Sequence, residues 1–298
     1  MLYSYEMIEL KPKLNKKKVF LIILIMLIII TLSIFGAIKL VEYKIEYKKE
    51  IERIEEEKRQ EEILLEAQRK EAERLKNANP FTEEQIQAIE NIYNDVEEKK
   101  VFLTFDDGPT QAVTPFILDL LKNENIKATF FVLGNRAKAN PELIQREFEE
   151  GHYIANHGYT HKYSDIYKNT QTVLDEYNYT EACIKEALQN SDYNSRIFRF
   201  PGGSTGGYYS SIKKQAKQLL KDNGIVSLDW NCLSKDAEGA KTKEELLQNI
   251  IDTMKDKKNL VILMHDSSDK ILTYETLPDI IQYLRENGYE FKTIYDIL

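Results

Sequence analysis

The pattern of apolar and polar positions divides the chain into three parts. Residues 19–38 (VFLIILIMLIIITLSIFGAI) carry no charge, residues 42–79 are dense in charges and contain neither Gly nor Pro, and from Lys100 onward short β-rich runs alternate with amphipathic helical patterns. A helix rises about 1.5 Å per residue, so the first part is long enough to cross the hydrocarbon core of a membrane. The third part has the periodicity of an α/β domain.

The apolar segment predicts an uncleaved membrane anchor over residues 19–41. A cleaved signal peptide has a shorter apolar run followed by a small-x-small site, which is missing here. A buried core helix is the other alternative, but such helices rarely lack polar residues on every side. Five Lys against two Glu in residues 1–18 give this end a net charge of +3. By the positive-inside rule, residues 1–18 form a cytoplasmic tail. We therefore expect a single-pass type II protein of the cell membrane, with everything after about residue 41 extracellular.

Residues 42–95 predict a solvated stalk helix that spaces the next domain from the membrane. Charged pairs such as Glu55–Arg59 and Glu66–Lys70 have the i,i+4 spacing and order that support a helix. Apolar positions are too sparse for a sustained coiled-coil seam. Weak self-association through the stalk stays open, and the positions that allow it are Ile51, Ile54, Leu64 and Leu65.

Residues 96–298 predict a separate catalytic domain of α/β class. The expected strands are residues 101–105, 128–133, 153–156, 197–200, 225–228, 260–264 and 290–293. The expected helices are residues 114–122, 141–150, 172–189, 210–222, 243–255 and 277–286. This alternation implies a parallel sheet with helical crossovers, either doubly wound or closed as a barrel.

Chemically unusual residues fall at the ends of these predicted strands. Since parallel α/β folds build their sites at the carboxyl ends of strands, groups at five of the seven ends should converge. The strand-end sequences are Asp106-Asp107-Gly108-Pro109, His157 with His161, Arg199 with Pro201-Gly202-Gly203, Asp229-Trp230, and His265-Asp266.

The two histidines of the second strand end indicate a metal site. The spacing of His157 and His161 resembles a metalloprotease helix, but Gly158 stands where the catalytic Glu would be. A loop closing on one ion is the better interpretation, with Asp106 or Asp107 as the third ligand. The alternative is a pair of surface or capping histidines.

Two adjacent aspartates suggest a division of labour. One can bind the metal while the other takes a proton from the coordinated water, provided that a cation such as Arg199 keeps it ionised. His265 can then act as the acid for the leaving amine, with Asp229 keeping it protonated. Taken singly, Arg199 could be an ordinary salt-bridge partner and His265 a core histidine.

Charge and cysteine content narrow the function classes. The net charge is −8, or −11 without the first 18 residues, which disfavours nucleic acid as a partner. Cys183 and Cys232 are the only cysteines, so a cysteine-based metal site is not expected. One disulfide between them is conceivable, but two buried thiols are expected.

The motifs together resemble the polysaccharide deacetylases, the NodB-homology group of carbohydrate esterase family four. The resemblance covers about residues 98–298. The motifs follow in the family's order: residues 104–109 (TFDDGP), 157–161 (HGYTH), 199–203 (RFPGG), 229–230 (DW) and 263–266 (LMHD).

The resemblance implies a distorted (β/α) barrel of about seven parallel strands and assigns roles to the motif residues. Asp106 would be the base, tethered by Arg199, and His265 the acid, tuned by Asp229. A divalent ion, zinc or a similar metal, would be bound by Asp107, His157 and His161. The substrate side would include the Gly202 N–H for the oxyanion, Pro201 beside it, and Trp230 and Leu263 along the acetyl-methyl groove.

Three positions depart from the family pattern without removing a catalytic group. Gly158 replaces a usual Ser or Thr, Gly202 replaces a bulkier residue, and Val226 stands where another Asp is common.

The expected function is metal-dependent N-deacetylation of N-acetylglucosamine residues in an extracellular polysaccharide. Peptidoglycan is the favoured glycan, because the anchor holds the enzyme where wall glycan lies. The alternatives are a deacetylase of chitin oligomers, a xylan O-acetyl esterase and, from another class, a non-catalytic wall-binding protein.

Overall fold

A computed structural model describes residues 16–78, 80–94 and 98–298 of the chain. By internal contacts the chain separates into two units, residues 1–69 and 70–298. The described part of the first unit is helical and belongs to helix α1, which spans Lys16–Ala78. Among the described residues, α1 is the one helix long and apolar enough to cross a membrane, and its apolar stretch is exposed. The chain thus carries an N-terminal apolar helix suited to a signal anchor or a membrane span.

The charged part of α1 carries exposed ion pairs within the helix. Arg53 contacts Glu50 at 2.6 Å, and Arg59 contacts Glu56 at 2.9 Å. Arg59 therefore pairs one turn back at i−3 rather than with Glu55, the i−4 partner expected from the sequence. Exposed pairs of this kind contribute little to stability. Residues 1–15 of the predicted tail, position 79, positions 95–97 and the side chains of Glu66, Lys70, Leu64 and Leu65 lie outside the described residues.

The second unit contains one parallel sheet with its helices. The strands are β1 (Lys100–Asp106), β2 (Thr129–Val132), β3 (Tyr153–Asn156), β4 (Ile197–Phe198), β5 (Val226–Ser227), β6 (Cys232–Leu233), β7 (Asn259–His265) and β8 (Glu290–Lys292). The helices are α2 (Glu83–Glu90), α3 (Thr114–Asn123), α4 (Gly134–Ala139), α5 (Pro141–Glu149), α6 (Tyr163–Ile166), α7 (Thr170–Leu188), α8 (Ser210–Asp222), α9 (Lys243–Met254) and α10 (Ile271–Glu286), followed by a 3₁₀ turn at Ile294–Ile297.

The strand order is β5-β4-β3-β2-β1-β7-β6, and β8 pairs with the first residues of β1. All recorded pairs are parallel, and the longest ladder joins β1 to β7 from Lys100↔Asn259 to Asp106↔His265. The result is a half-barrel of seven parallel strands along this path. The predicted fold class, a distorted barrel of about seven parallel strands, is confirmed.

Side-chain alternation gives the sheet two different faces. The outer face, with Leu103 and Ile262, packs against helices α3, α5, α7, α9 and α10 in the largest apolar cluster. The inner face, with Phe102, Tyr153 and Val261, forms a second cluster inside the half-barrel. Successive residues of a strand point to opposite faces. Every second residue after these inner positions therefore also points inward.

The inner cluster is completed by segments from both ends of the unit. Phe81, Ile89 and Ile92, around helix α2, are buried there with Ile294 of the 3₁₀ turn. Thr82 and Gln85 form a capping box that starts α2. Residues 81–92 fall within the predicted stalk, residues 42–95. We propose that the catalytic domain begins before Phe81 rather than at residue 96.

The two cysteines are free in this structure. Cys232 is buried, as expected, but Cys183 is only partly buried on α7. The expectation of two buried thiols is therefore wrong for Cys183.

Candidate active site

The inward-facing positions end in a row of polar groups at the carboxyl edge of the sheet. On β1 the inner row runs from Phe102 through Thr104 to Asp106, and on β7 from Val261 to His265. Asp106 and His265 are neighbours in the β1–β7 ladder. Apolar residues fill the interior of the half-barrel. Asp106 and His265 follow them on the same face, at the carboxyl ends of β1 and β7.

Asp107, His157 and His161 form a compact cluster of potential metal ligands. One ligand atom from each residue lies within 4.8 Å of the others. The Oδ1 atom of Asp107 is 3.6 Å from Nε2 of His157 and 3.4 Å from Nε2 of His161, too long for hydrogen bonds. The structure therefore brings together the three residues that the sequence pointed to.

The protonation of His157 shows why this cluster suits a cation. Its Nδ1 lies 2.8 Å from the carbonyl oxygen of Arg199 and can only donate to it, which leaves Nε2 as a lone pair facing Asp107. Burial lowers the pKa of His157 to about 3, so the ring is neutral. The Oδ1 of Asp107 is buried and has no hydrogen-bond partner among the described residues. Two electron-pair donors facing each other fit a divalent cation between them.

The two loops that carry the ligands each contain a residue in an unusual backbone conformation. Asp107 has φ 74° and His161 has φ 58°, in the left-handed region that costs non-glycine residues energy. The carboxylate of Glu176, on α7, accepts hydrogen bonds from the backbone N–H groups of Tyr159 and Thr160 at 2.6 and 2.8 Å. Glu176 thus fixes the loop between the two histidines.

Asp106 is buried and bound by the fully buried Arg199. Nη1 of Arg199 donates to Oδ1 of Asp106 at 2.8 Å and to the hydroxyl of Thr104 at 2.7 Å. Its guanidinium lies 3.7 Å from the ring centroid of Phe131. Burial raises the pKa of Asp106, and the Arg199 charge opposes that rise. The contact expected between Arg199 and Asp106 is present.

His265 is oriented by Asp236. Nδ1 of His265 lies 2.8 Å from Oδ1 of Asp236, whose Oδ2 accepts from the His265 backbone N–H and from the Thr273 hydroxyl, each at 2.8 Å. Burial disfavours the imidazolium, but Asp236, followed by Asp106 and Asp107, outweighs it and raises the pKa of His265 to about 9. The ring is therefore charged at neutral pH.

The predicted pairing of Asp229 with His265 is wrong. The Asp229 carboxylate accepts from the Ser204 hydroxyl at 2.5 Å and from its backbone N–H, while the Asp229 carbonyl accepts from Arg199. With both oxygens occupied by Ser204, Asp229 holds the loop after β4 instead of the imidazole. Asp229 therefore positions the loop that carries Ser204.

The predicted substrate-side residues lie around that same loop. Gly202 is exposed with φ 72°, and the carbonyl of the buried Pro201 accepts from Tyr167. Trp230 is partly buried against Gly203, and Leu263 is 7% exposed on the inner face of β7. Their roles toward a substrate stay predictions.

Sequence reasoning missed Asp236, Thr273, Ser204 and Glu176. For Asp236 a signal existed, because it follows β6 as the other site residues follow their strands. That strand has only two residues, too few for a hydrophobic pattern. Glu176 and Thr273 sit within helices, where polar residues ordinarily face solvent and give no signal.

The chain is similar to known deacetylases over its second unit. The family described as Polysaccharide deacetylase matches residues 93–225. A peptidoglycan-N-acetylglucosamine deacetylase of Bacillus cereus is 34% identical over 209 residues, 68% of this chain and 72% of the relative. Another, PgdA of Listeria monocytogenes, is 32% identical over 67% of this chain, which spans only 39% of that relative. The structure of a Streptococcus mutans CE4 esterase aligns with TM-score 0.62 and 33% identity, covering 72% of this chain and 91% of that one.

Proposed function

The chain belongs to the polysaccharide deacetylase family, and from this premise we propose that it hydrolyses the N-acetyl groups of N-acetylglucosamine residues in extracellular peptidoglycan. One observation carries the proposal: three groups lie together at the carboxyl edge of the sheet. They are the metal-ligand cluster that contains Asp107, Asp106 with its partner Arg199, and the charged His265. Amide hydrolysis needs a base, an acid and stabilisation of negative charge, and this edge offers each separately.

The residues that would hold a divalent metal, zinc or a similar ion, are Asp107, His157 and His161. When bound, such an ion supplies Lewis acidity to the attacking water and to the acetyl oxygen.

The remaining residues divide the proton transfers. Asp106, held by the hydrogen bond from Arg199, takes a proton from the water that attacks the acetyl carbon. As the carbon–nitrogen bond breaks, His265 gives its proton to the departing nitrogen, yielding acetate and a free amine. The negative acetyl oxygen can receive a hydrogen bond from the Gly202 N–H, and Trp230 with Leu263 forms the wall for the methyl group.

The choice of substrate and location rests on the N-terminal helix and the named relatives. We propose a cytoplasmic tail at residues 1–18, a membrane anchor at 19–41, and a catalytic domain outside the cell. A tethered enzyme meets wall glycan, whereas a chitin-oligomer deacetylase or a xylan esterase is more useful when soluble.

The test is acetate release by the full-length chain purified in detergent and supplied with Zn²⁺. Peptidoglycan glycan strands, chitopentaose and acetylated xylan are compared. Release from glycan strands that exceeds release from the other two supports the proposal. Preference for xylan identifies an esterase, and binding of glycan without release, unchanged by Asp106→Asn, identifies a wall-binding protein.

A further inference from the structure

A continuous row of aromatic rings leads outward from the metal-ligand cluster. The ring of His161 lies 5.6 Å from that of Tyr163, which lies 5.8 Å from Tyr167. Tyr167 lies 5.4 Å from Tyr209, and Tyr209 lies 5.0 Å from Tyr208. We call these four tyrosines the tyrosine row. It joins the candidate active site to the exposed loop before α8.

The outer members of the row are exposed to solvent. Tyr208 is 94% exposed and Tyr163 is 41% exposed, whereas Tyr167 beneath them is buried. Gly206 and Gly207 precede Tyr208, both with positive φ, and this turn presents the ring to solvent. The exposed ring of Tyr208 thus has a free apolar face, which is available to a ligand that packs on aromatic rings.

Tyr163 occupies space that a side chain at position 202 would otherwise fill. A Cβ atom at Gly202 would lie 2.4 Å from the Tyr163 hydroxyl. The glycine therefore lets the Tyr163 ring form a wall beside His161. Beneath it, Nζ of Lys213 donates to the Gly203 carbonyl at 2.7 Å and lies 5.0 Å from the Tyr167 centroid. These contacts hold the buried Tyr167 ring in place beneath the exposed rings of Tyr163 and Tyr208.

We infer that the tyrosine row is a glycan subsite in which Tyr163 and Tyr208 stack on sugar rings next to the one being deacetylated. This inference rests on the proposed function. The carbon–hydrogen faces of pyranose rings pack on aromatic faces, and their hydroxyls stay in water, which matches rings that are exposed on one side. The row is continuous with the cluster through His161, so a polymer chain bound at the metal side extends over it.

The experiment compares a substrate of several sugar rings with a substrate that contains no sugar, on the full-length, Zn²⁺-loaded chain in detergent. Tyr208→Ala should raise the KM for chitopentaose about five- to tenfold, with kcat nearly unchanged, because stacking acts on binding. Hydrolysis of 4-nitrophenyl acetate, which has no sugar ring, should stay at the wild-type rate. Tyr208→Phe should restore the KM, since the ring face and not the hydroxyl makes the contact.

Tyr179→Ala is the matched control, since Tyr179 is 64% exposed on α7 outside the row. It should keep the wild-type KM. Calorimetric titration of chitopentaose into Asp106→Asn, with and without Tyr208→Ala, measures binding without turnover and should show the same loss. An unchanged KM and Kd for chitopentaose in Tyr208→Ala overturns the subsite. If the wild type releases no acetate at all, the proposed function fails, and the calorimetric comparison alone decides the subsite.

Discussion

The ligand side and the acid side of the candidate site are built in different ways. On the ligand side, Asp107, His157 and His161 come from two short motifs, each directly after a strand. On the acid side, His265 at the end of β7 depends on Asp236, which lies 29 residues earlier in the loop after β6. The folded sheet brings both sides together, but the ligand-side residues stand in motifs that can be recognised in the sequence, whereas the partner of His265 is identified only by its contact in the structure. Five substitutions can break or sharpen this contrast.

Removing a ligand should have the largest effect. His157→Ala deletes a buried donor of the cluster, so metal content and activity should fall together to background. Metal content by mass spectrometry and acetate release are measured on the same sample. The control is His152→Gln, a change at a buried histidine outside the cluster, which should keep the metal. A metal-free His157→Ala protein that still turns over would remove the ligand side from the chemistry.

Neutralising Asp106 should separate chemistry from metal binding. Asp106→Asn keeps the shape of the side chain but removes the base, so kcat should fall about 10³- to 10⁴-fold. Metal content should stay at the wild-type level, because the cluster uses Asp107. Normal turnover in this variant would refute the role of Asp106.

Replacing the acid should cost somewhat less. His265→Gln removes the proton donor, and we expect a loss of about 10²- to 10³-fold in kcat on N-acetyl substrates. The loss should shrink for 4-nitrophenyl acetate, whose leaving group needs no proton. Equal losses on both substrates would contradict the assignment of His265 as the acid.

Removing the Asp236 carboxylate tests whether Asp236, and not Asp229, sets the pKa of His265. Asp236 raises the pKa of His265 to about 9 against the opposing effect of burial. An acid works only while protonated, so wild-type activity should persist up to about pH 9 and fall above it. Asp236→Asn should move this alkaline limit downward and lower kcat at pH 8 about tenfold. The matched change Asp229→Asn should leave the alkaline limit in place. The reverse result would restore the pairing of Asp229 with His265.

Loosening the ligand loop should give the smallest effect. Glu176→Gln weakens the grip on the Tyr159 and Thr160 N–H groups, and metal affinity should fall about 10- to 100-fold, as for other groups that support metal ligands. At saturating Zn²⁺ the turnover should be close to that of the wild type. Asp175→Asn, one residue away on α7, is the control. Unchanged metal affinity in Glu176→Gln would mean that the loop holds its shape unaided.

The sequence predicted the sheet and the ligand side well because both depend on local pattern. Strand β3 and helix α8 have the predicted bounds, and each ligand follows a strand of recognisable length. Helix α10 begins at Ile271, six residues before the predicted start. Pro278 lies inside this helix. Because proline lacks the N–H of a helical hydrogen bond and disfavours a helix before it, the sequence does not predict a helix over residues 271–276.

The acid-side partner and the start of the domain could not be predicted for a different reason. Asp229 and Asp236 are seven positions apart, and both follow short strands, so only the register between β6 and β7 decides which reaches His265. Helix α2 has the polar composition of the preceding stalk, and its burial depends on a cavity formed by distant strands.

The packing of helix α2 inside the half-barrel also constrains the order in which the domain can fold. Nε2 of Gln85 donates to the Leu298 carbonyl across 213 positions of sequence, at the same end of the interior that Ile89 and Ile294 fill. Contacts between such distant segments are slow to form, since a long loop must close first. The apolar side chains of α2 are therefore synthesised well before Ile294 can cover them, and they gain that cover only after the intervening strands have formed.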